Sequence, residues 1–499
     1  MSHWIIAPVV LPALLAPLLM LLVRNDLRAQ RVLSMAGTLG FAALAALLLV
    51  QTAGGEISVY RLGNWPAPFG IVLVADRLAT LMLALTAGLA LAVLAHVLGT
   101  GWDARGRHFH ALFQFQLMGL AGAFLTGDAF NLFVFFEVML IASYGLMIHG
   151  GGRARLRAGV QYVVMNLAGS VLFLLALGTL YAVTGTLNMA DMAVRIAELP
   201  PDEAGLLRVG AVLLLLVFAI KAALVPLQFW LPATYANAPG PVAALFAILT
   251  KVGVYAILRI YPLVFGADSI AGDIGPTLLL PAAGVTLLIG MGGVMGARDL
   301  GRMAAFAVIG SIGTLMLGVA VFSAAATGAA LFYLIHSTLA AAAMFLVADL
   351  VQAERGNLTL QPGPRLTRHG LLAALFFTVA IGVAGMPPLP GFLGKLMILD
   401  ATRLQPEAWA IWSLVLVGSL MAVIGLGRAG AALFWAVPRE PAPASGKPFA
   451  WVGIAGLLSG LVALTVAAGP TSSWLNATSE AIYAPAPYIA AVLGNGVGQ

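Results

Sequence analysis

Cysteine is absent from this 499-residue chain, and charge is scarce, with Asp, Glu, Lys and Arg together making up 9%. Without a thiol there is no disulfide framework, no thiolate-held iron–sulfur cluster and no cysteine zinc site. No G-x-x-x-x-G-K-[ST] phosphate loop and no HExxH zinc motif occurs either. Polar connections are short as well. The longest, around 184–205 and 353–368, leave no room for a soluble nucleotide-binding or catalytic domain. No cofactor and no metal is therefore expected, and any work must be driven by an ion gradient or by a partner. Lysine is the scarcest cation, four residues against 21 arginines.

What fills the chain instead is hydrocarbon. Hydrophobic residues make up 61% and the mean hydropathy is +1.02, whereas soluble domains are about 45–50% apolar and about 25% charged. The fold class this implies is an all-α polytopic membrane protein in the lipid bilayer. Spans of about 20 apolar residues fall at 4–23, 32–52, 71–98, 109–127, 129–149, 157–183, 206–235, 240–265, 274–297, 302–323, 328–352, 369–403, 407–436 and 449–469. That predicts about fourteen transmembrane helices, the first retained rather than cleaved. The formal net charge of +6 comes from arginines dispersed among loops, which gives no nucleic-acid case.

Those arginines report orientation. Loops after odd-numbered spans carry Arg24, Arg28, Arg31, Arg105, Arg107, Arg153, Arg155, Arg157, Arg298, Arg302, Arg355, Arg365, Arg368, Arg439 and Lys447. Loops after even-numbered spans carry Arg61, Arg195, Arg208 and Arg403, diluted by acids such as Asp202, Glu203 and Asp273. Both termini are thus expected on the outer, periplasmic side of a bacterial inner (cytoplasmic) membrane.

Three of the four lysines, Lys221, Lys251 and Lys395, lie inside the apolar spans, and only Lys447 sits in a polar loop. Each such charge costs about 2.5 to 3.5 kcal/mol on insertion scales and marks an ion or proton pathway by default. Two of the three adjoin predicted helix breaks. Pro226, five residues after Lys221, removes a backbone donor and disfavours helix before it. Pro387, Pro388, Pro390 and Gly391 interrupt the twelfth span just before Lys395. Non-helical backbone at membrane depth survives only inside protein or along a watery cavity. Paired breaks in corresponding positions point to inverted repeats around a transport site. The units expected are a three-helix segment at 1–108, a first repeat at 109–265 (helices four to eight), a second at 266–436 (nine to thirteen) and a C-terminal helix and tail at 437–499. Simple kinks are the structural alternative, with a lysine at each break against it.

Glu137, among Phe133, Phe135, Phe136 and Leu140, is the carboxylate that belongs with these lysines. Burial disfavours both charges and proximity favours both, so a Glu137–Lys221 pair has the makings of a proton switch. The alternative is an ion pair that only fixes packing, although such pairs stabilise poorly. Lys251 lies about twelve residues, roughly 18 Å, into its helix and so near the midplane. His336 in the eleventh span is placed to relay protons between Lys251 and Lys395, or alternatively to hold a neighbouring helix. Asp76, Arg77, His149, Arg259 and Asp349 stand near span ends and read as anchoring residues.

The runs Phe130–Gly145, Lys221–Tyr235, Pro241–Arg259 and Met386–Lys395 resemble the proton-translocating antiporter family of complex I, membrane-bound hydrogenase and Mrp (Mnh, Pha) membrane subunits. Within that family they are most similar to the D-type subunits of the Mrp group. The resemblance implies a chain that works beside other antiporter complex subunits as a hetero-oligomer and exchanges Na⁺, in some cases K⁺, for protons. It further implies that Glu137 and Lys221 form a gating pair, and that Lys251, His336 and Lys395 carry protons onward. A proton-pumping component of a redox complex is the alternative it leaves open. Two departures weaken the central relay: Gln228 stands where many relatives carry His, and Ala340 and Ala341 where they carry a Lys.

Overall fold

The computed structural model describes residues 3–200, 204–363, 365–435 and 448–494. Asp202, Glu203, Arg439 and Lys447, part of the loop-charge reading, lie outside them. The helices are α1 (Ala7–Leu21), α2 (Leu27–Thr52), α3 (Arg77–Thr100), α4 (Phe109–Leu125), α5 (Ala129–Met147), α6 (Arg153–Thr184), α7 (Met189–Ala197), α8 (Ala204–Ala222), α9 (Trp230–Asn237) and α10 (Gly240–Phe246). They continue as α11 (Leu249–Val264), α12 (Ile274–Gly296), α13 (Leu300–Val319), α14 (Ala324–Arg355), α15 (His369–Ala384), α16 (Pro390–Thr402), α17 (Ala408–Gly430), α18 (Val452–Val466), α19 (Ala468–Tyr483) and α20 (Ala486–Leu493).

Among the described residues, ten helices are long and apolar enough to cross a membrane, with α10 and α11 taken as one. A further bent pair, α18 and α19, turns by 83°. Small residues let these helices approach closely, as membrane packing without a hydrophobic driving force requires. A Cβ on Gly290 would lie 2.1 Å from the Gly310 nitrogen and one on Gly313 would lie 2.3 Å from the Leu287 nitrogen, so α12 and α13 pack backbone to backbone.

The third predicted span begins later than hydropathy indicates. Val72–Ala75 forms a strand, β2, antiparallel to β1 (Ser58–Arg61), with Ser58 opposite Ala75. Helix α3 starts at Arg77, capped by Asp76, whose carboxylate accepts from the Ala79 N–H. An apolar β-branched run scores as membrane-like whether it is helix or strand, so hydropathy could not see this hairpin.

The connections gather at two ends. Arg31 donates to Asp103 at 2.6 Å and 2.9 Å, and Arg155 donates to the carbonyls of His149 and Asn237, tying the α1–α2, α3–α4, α5–α6 and α9–α10 connections together at the arginine-rich end. At the other end the hairpin bridges to Thr126, Asp128 bridges to Asn188, and Arg208 binds Asp273.

Candidate functional site

The two expected breaks share one local design. Helix α8 ends at Ala222, and Ala223 turns left-handed at φ 56°. The Leu224 N–H bonds back to the Ala219 carbonyl and the Ala223 N–H to Ile220, a Schellman motif. Helix α15 ends the same way: Gly385 is left-handed at φ 76°, Met386 bonds to Ile381 and Gly385 to Gly382. Placing alanine rather than glycine at the first site costs about 1–2 kcal/mol. Pro226 lies in the first connection, Pro387 and Pro388 lie in the second, and Pro390 and Gly391 open α16.

Each break sets an ammonium at the C-terminal end of a half-helix, where the macrodipole favours a cation. Lys221 sits in the last turn of α8 itself. Lys395 reaches back from α16 and donates to the Ala384 carbonyl, at the end of α15, at 2.8 Å and to Ser419 Oγ at 2.9 Å.

Lys221 does not touch Glu137 in an ion pair among the described residues; two residues of α6 stand between them. Its Nζ donates to Asn166 Oδ1 at 3.2 Å, while Ser170 Oγ hydrogen-bonds Glu137 Oε1 and is also 3.0 Å from the Asn166 carbonyl. The expected pair is thus bridged. Asn166 and Ser170 escape sequence reasoning because neither carries charge; their four-residue spacing on one helix face is the available signal.

Glu137 is also less enclosed than expected. It is half-buried, and the α5 face it shares leaves Phe130, Val134 and Ile141 exposed. Apolar neighbours can face lipid or a partner as readily as a core, so their presence does not determine burial.

Lys251 is fully buried, and its Nζ has no hydrogen-bond partner among the described residues. It is not deep within one continuous helix. Between α10 and α11 the ladder tightens to three-residue bonds, Ala247 to Ala244, Ile248 to Leu245 and Lys251 to Ile248, a form that marks hinges. The Phe246 carbonyl accepts instead from Tyr235 Oη at 2.8 Å. Two residues on, a Cβ at Gly253 would lie 2.6 Å from the Ala222 nitrogen and 3.0 Å from the Lys221 carbonyl carbon. The glycine lets the Lys251 helix press against the end of the Lys221 helix.

His336, fully buried on α14, lies against the second break. It bonds to the backbone of Gly382, and a Cβ on Gly391 would come within 2.6 Å of its Nε2. Its Nδ1 has no partner among the described residues. A small cavity of about 10 Å³ beside it is lined by Ser337, Ala340, Ala341 and Met344. No hydrogen bond directly joins any two of Glu137, Lys221, Lys251, His336 and Lys395 among the described residues.

Of the edge residues, Arg259 holds Asp76 in a two-pronged ion pair at 2.6 and 2.7 Å. His149, expected at an interface, is buried at 5% exposure and its Nε2 meets the Trp102 carbonyl.

Buried amines at broken helices, set on half-helix ends, belong to a polytopic membrane protein with ionisable groups in its interior. The family profile described as NADH:quinone oxidoreductase/Mrp antiporter, TM matches residues 126–424, and the chain belongs to that family. It is 38% identical to the probable K⁺/H⁺ antiporter D subunit of Rhizobium meliloti (strain 1021), covering 99% of this chain and 98% of the relative. It is equally 38% identical to the Na⁺/H⁺ antiporter D subunit of Bacillus subtilis (strain 168), covering 99% and 100%. A chain of the Mrp complex from Dietzia sp. DQ12-45-1b matches with a TM-score of 0.87 at 28% identity, covering 99% of this chain and 100% of that one.

Proposed function

We propose that this chain is the proton-translocating membrane subunit of a multisubunit Na⁺ or K⁺/proton antiporter in a bacterial cytoplasmic membrane. The observation that carries the reading is Lys251, a fully buried amine with no hydrogen-bond partner among the described residues. An unpaired ammonium in hydrocarbon is costly and brings no packing benefit, which favours a group that takes up and hands on a proton. The names of the relatives supply the exchanged cations, and the likeness to a chain of the Mrp complex supplies the partner subunits. The same amines would serve a redox-driven pump; the antiporter names favour exchange.

In this mechanism protons pass along Lys221, Lys251, His336 and Lys395. Glu137 acts on Lys221 through Ser170 and Asn166: a charge arriving near Glu137 weakens its hold on the ammonium, and the lysine proton moves inward. The cation is carried at an interface with another subunit.

The repeat reading draws support from the matched Schellman ends after Lys221 and before Lys395. Fourteen spans follow if the three shorter apolar helices and the bent pair are added to the ten longer ones. With the arginine-rich end inside, both termini lie outside. The test is Na⁺- and K⁺-dependent dissipation of a pH gradient in everted vesicles carrying the full set of subunits, with and without this chain. Exchange that persists without it overturns the proposal.

A further inference from the structure

Asp349, near the end of α14, is a buried carboxylate that the relay does not use. It lies away from solvent at 6% exposure and is faced by His96 of α3, at 0%. His96 Nε2 stands 2.9 Å from Asp349 Oδ2, and the Trp102 indole N–H donates to both carboxylate oxygens at 2.9 and 3.1 Å. The other imidazole nitrogen, Nδ1, stands 2.9 Å from the Ala450 carbonyl.

That last contact fixes the protonation logic. A carbonyl only accepts, so Nδ1 must carry a proton. Nε2 then faces Asp349 either as a donor, with the imidazole cationic and the carboxylate charged, or as an acceptor from a neutral carboxylic acid. In both forms one proton lies between the two residues. Without it, two lone pairs would oppose each other at 2.9 Å.

The pair lies between the elements that carry the relay residues and a cavity. Helix α14 carries His336 thirteen residues before Asp349, roughly 20 Å along the axis. A Cβ on Gly240, at the start of α10, would lie 2.5 Å from Asp349 Cβ. Lys251 follows Gly240 by eleven residues, across the tightened turn between α10 and α11. On the side away from the relay Asp349 lines a cavity of about 450 Å³ that reaches the exposed Arg105 and Gly150. The charged groups facing the pair are Arg105, stacked on the Trp102 ring at 3.9 Å, and Arg155 and Glu354, which line the same cavity. His149 touches the cluster through the Trp102 carbonyl.

We propose that His96 and Asp349 form a proton-holding station at the arginine-rich end, where protons pass between the Lys251–His336 relay and the adjoining cavity. The proposal rests on the antiporter reading above. A proton leaving the station goes to solvent in the cavity and leaves a carboxylate and a neutral imidazole; the next proton from the relay restores the shared hydrogen. Net charge and proton count balance over the cycle.

The test uses the full complex in everted vesicles, which present the arginine-rich end to the medium. Asp349→Asn keeps hydrogen bonds to both partners, with its amide donating to Nε2 and its oxygen accepting from Trp102, yet holds no titratable proton. Cation-dependent dissipation of the pH gradient is expected to fall about tenfold or more and to lose its dependence on medium pH, with subunits still co-purifying. Wild-type rates with an unchanged pH profile would overturn the station. Should that variant not assemble, His96→Gln carries the same expectation. A second readout is independent of transport. In pH-difference infrared spectra of the purified complex, a titrating band of the pair, from a carboxylic C=O in the one form or an imidazolium in the other, is expected that Asp349→Asn removes and Glu137→Gln leaves; spectra identical in wild type and Asp349→Asn would also overturn the proposal. Loss of exchange by the wild type with the band intact would count against the antiporter reading alone.

Discussion

Ser170 and Asn166 stand between Glu137 and Lys221, which form no direct ion pair among the described residues: the carboxylate is hydrogen-bonded to Ser170, and the ammonium donates to Asn166 at 3.2 Å. A direct buried ion pair would be hard to open, because separating it leaves two uncompensated charges. A bridged pair can change its separation while each charge keeps a polar neighbour. Ser170→Ala is therefore expected to reduce cation-dependent proton exchange by about tenfold, one hydrogen bond to a charge being worth about 1.5–3 kcal/mol. Subunit assembly is expected to be unchanged. Wild-type rates in both Ser170→Ala and Asn166→Ala would remove the bridge from the mechanism.

Lys251 separates transport from stability. Its ammonium makes no hydrogen bond among the described residues, so replacing it with an apolar residue of similar length relieves a burial cost and sacrifices no contact. Lys251→Met is expected to melt at the same temperature as the wild type or higher, a gain of up to about 1–4 kcal/mol by analogy with buried charges replaced by hydrophobes. Exchange is expected to be abolished. Thermal melting of the purified complex together with vesicle transport checks both; a strongly destabilised variant would assign Lys251 a structural role.

Gly391 is the point where His336 meets the second break. An added Cβ would lie 2.3 Å from the Gly382 carbonyl and 2.6 Å from His336 Nε2, neither a tolerable distance. Gly391→Ala is expected to cost about 1–3 kcal/mol through overpacking and to lower exchange by displacing the imidazole. Gly370→Ala meets nothing within 4 Å and serves as the control, with stability and exchange unchanged.

Asp103 governs acid stability at the arginine-rich end, outside the spans. Burial pushes its carboxyl up, but hydrogen bonds from His110 and Arg31 outweigh this and hold its pKa down at about 2, against a usual 3.8. The folded-state value is depressed, so the stabilisation is fully present above about pH 4 and is lost as the pH falls towards about 2. Asp103→Asn is expected to cost roughly 2 kcal/mol at neutral pH, with the gap to wild type closing in that acid window. A gap that stays constant across it would show that the charge is not responsible.

The membrane class, both broken helices and the five relay candidates are legible in the sequence, because charge in hydrocarbon and proline in a helix are expensive wherever they occur. What mediates between them is not. Asn166, Ser170 and Ser419 are small polar residues that insertion energetics barely register, and their importance arises only when α6 and α17 are brought against Lys221 and Lys395. The hairpin of Ser58–Arg61 with Val72–Ala75 reads as the start of a span because apolar strands and helices share one hydropathy. Asp349 reads as a loop-end anchor because its partner His96 lies 253 positions away in the sequence. The tightened turn before Lys251 is accompanied by Tyr235 Oη donating to the Phe246 carbonyl, a contact that no local pattern announces.

The central claim, that protons cross this chain through its buried amines under control of Glu137, meets its most direct test in Glu137→Gln and Lys221→Ala. Each is expressed with the complete set of subunits and assayed in everted vesicles for Na⁺- and K⁺-dependent dissipation of a respiration-generated pH gradient. The account predicts assembled complexes in which exchange is abolished. Exchange at the wild-type rate in either variant would contradict it.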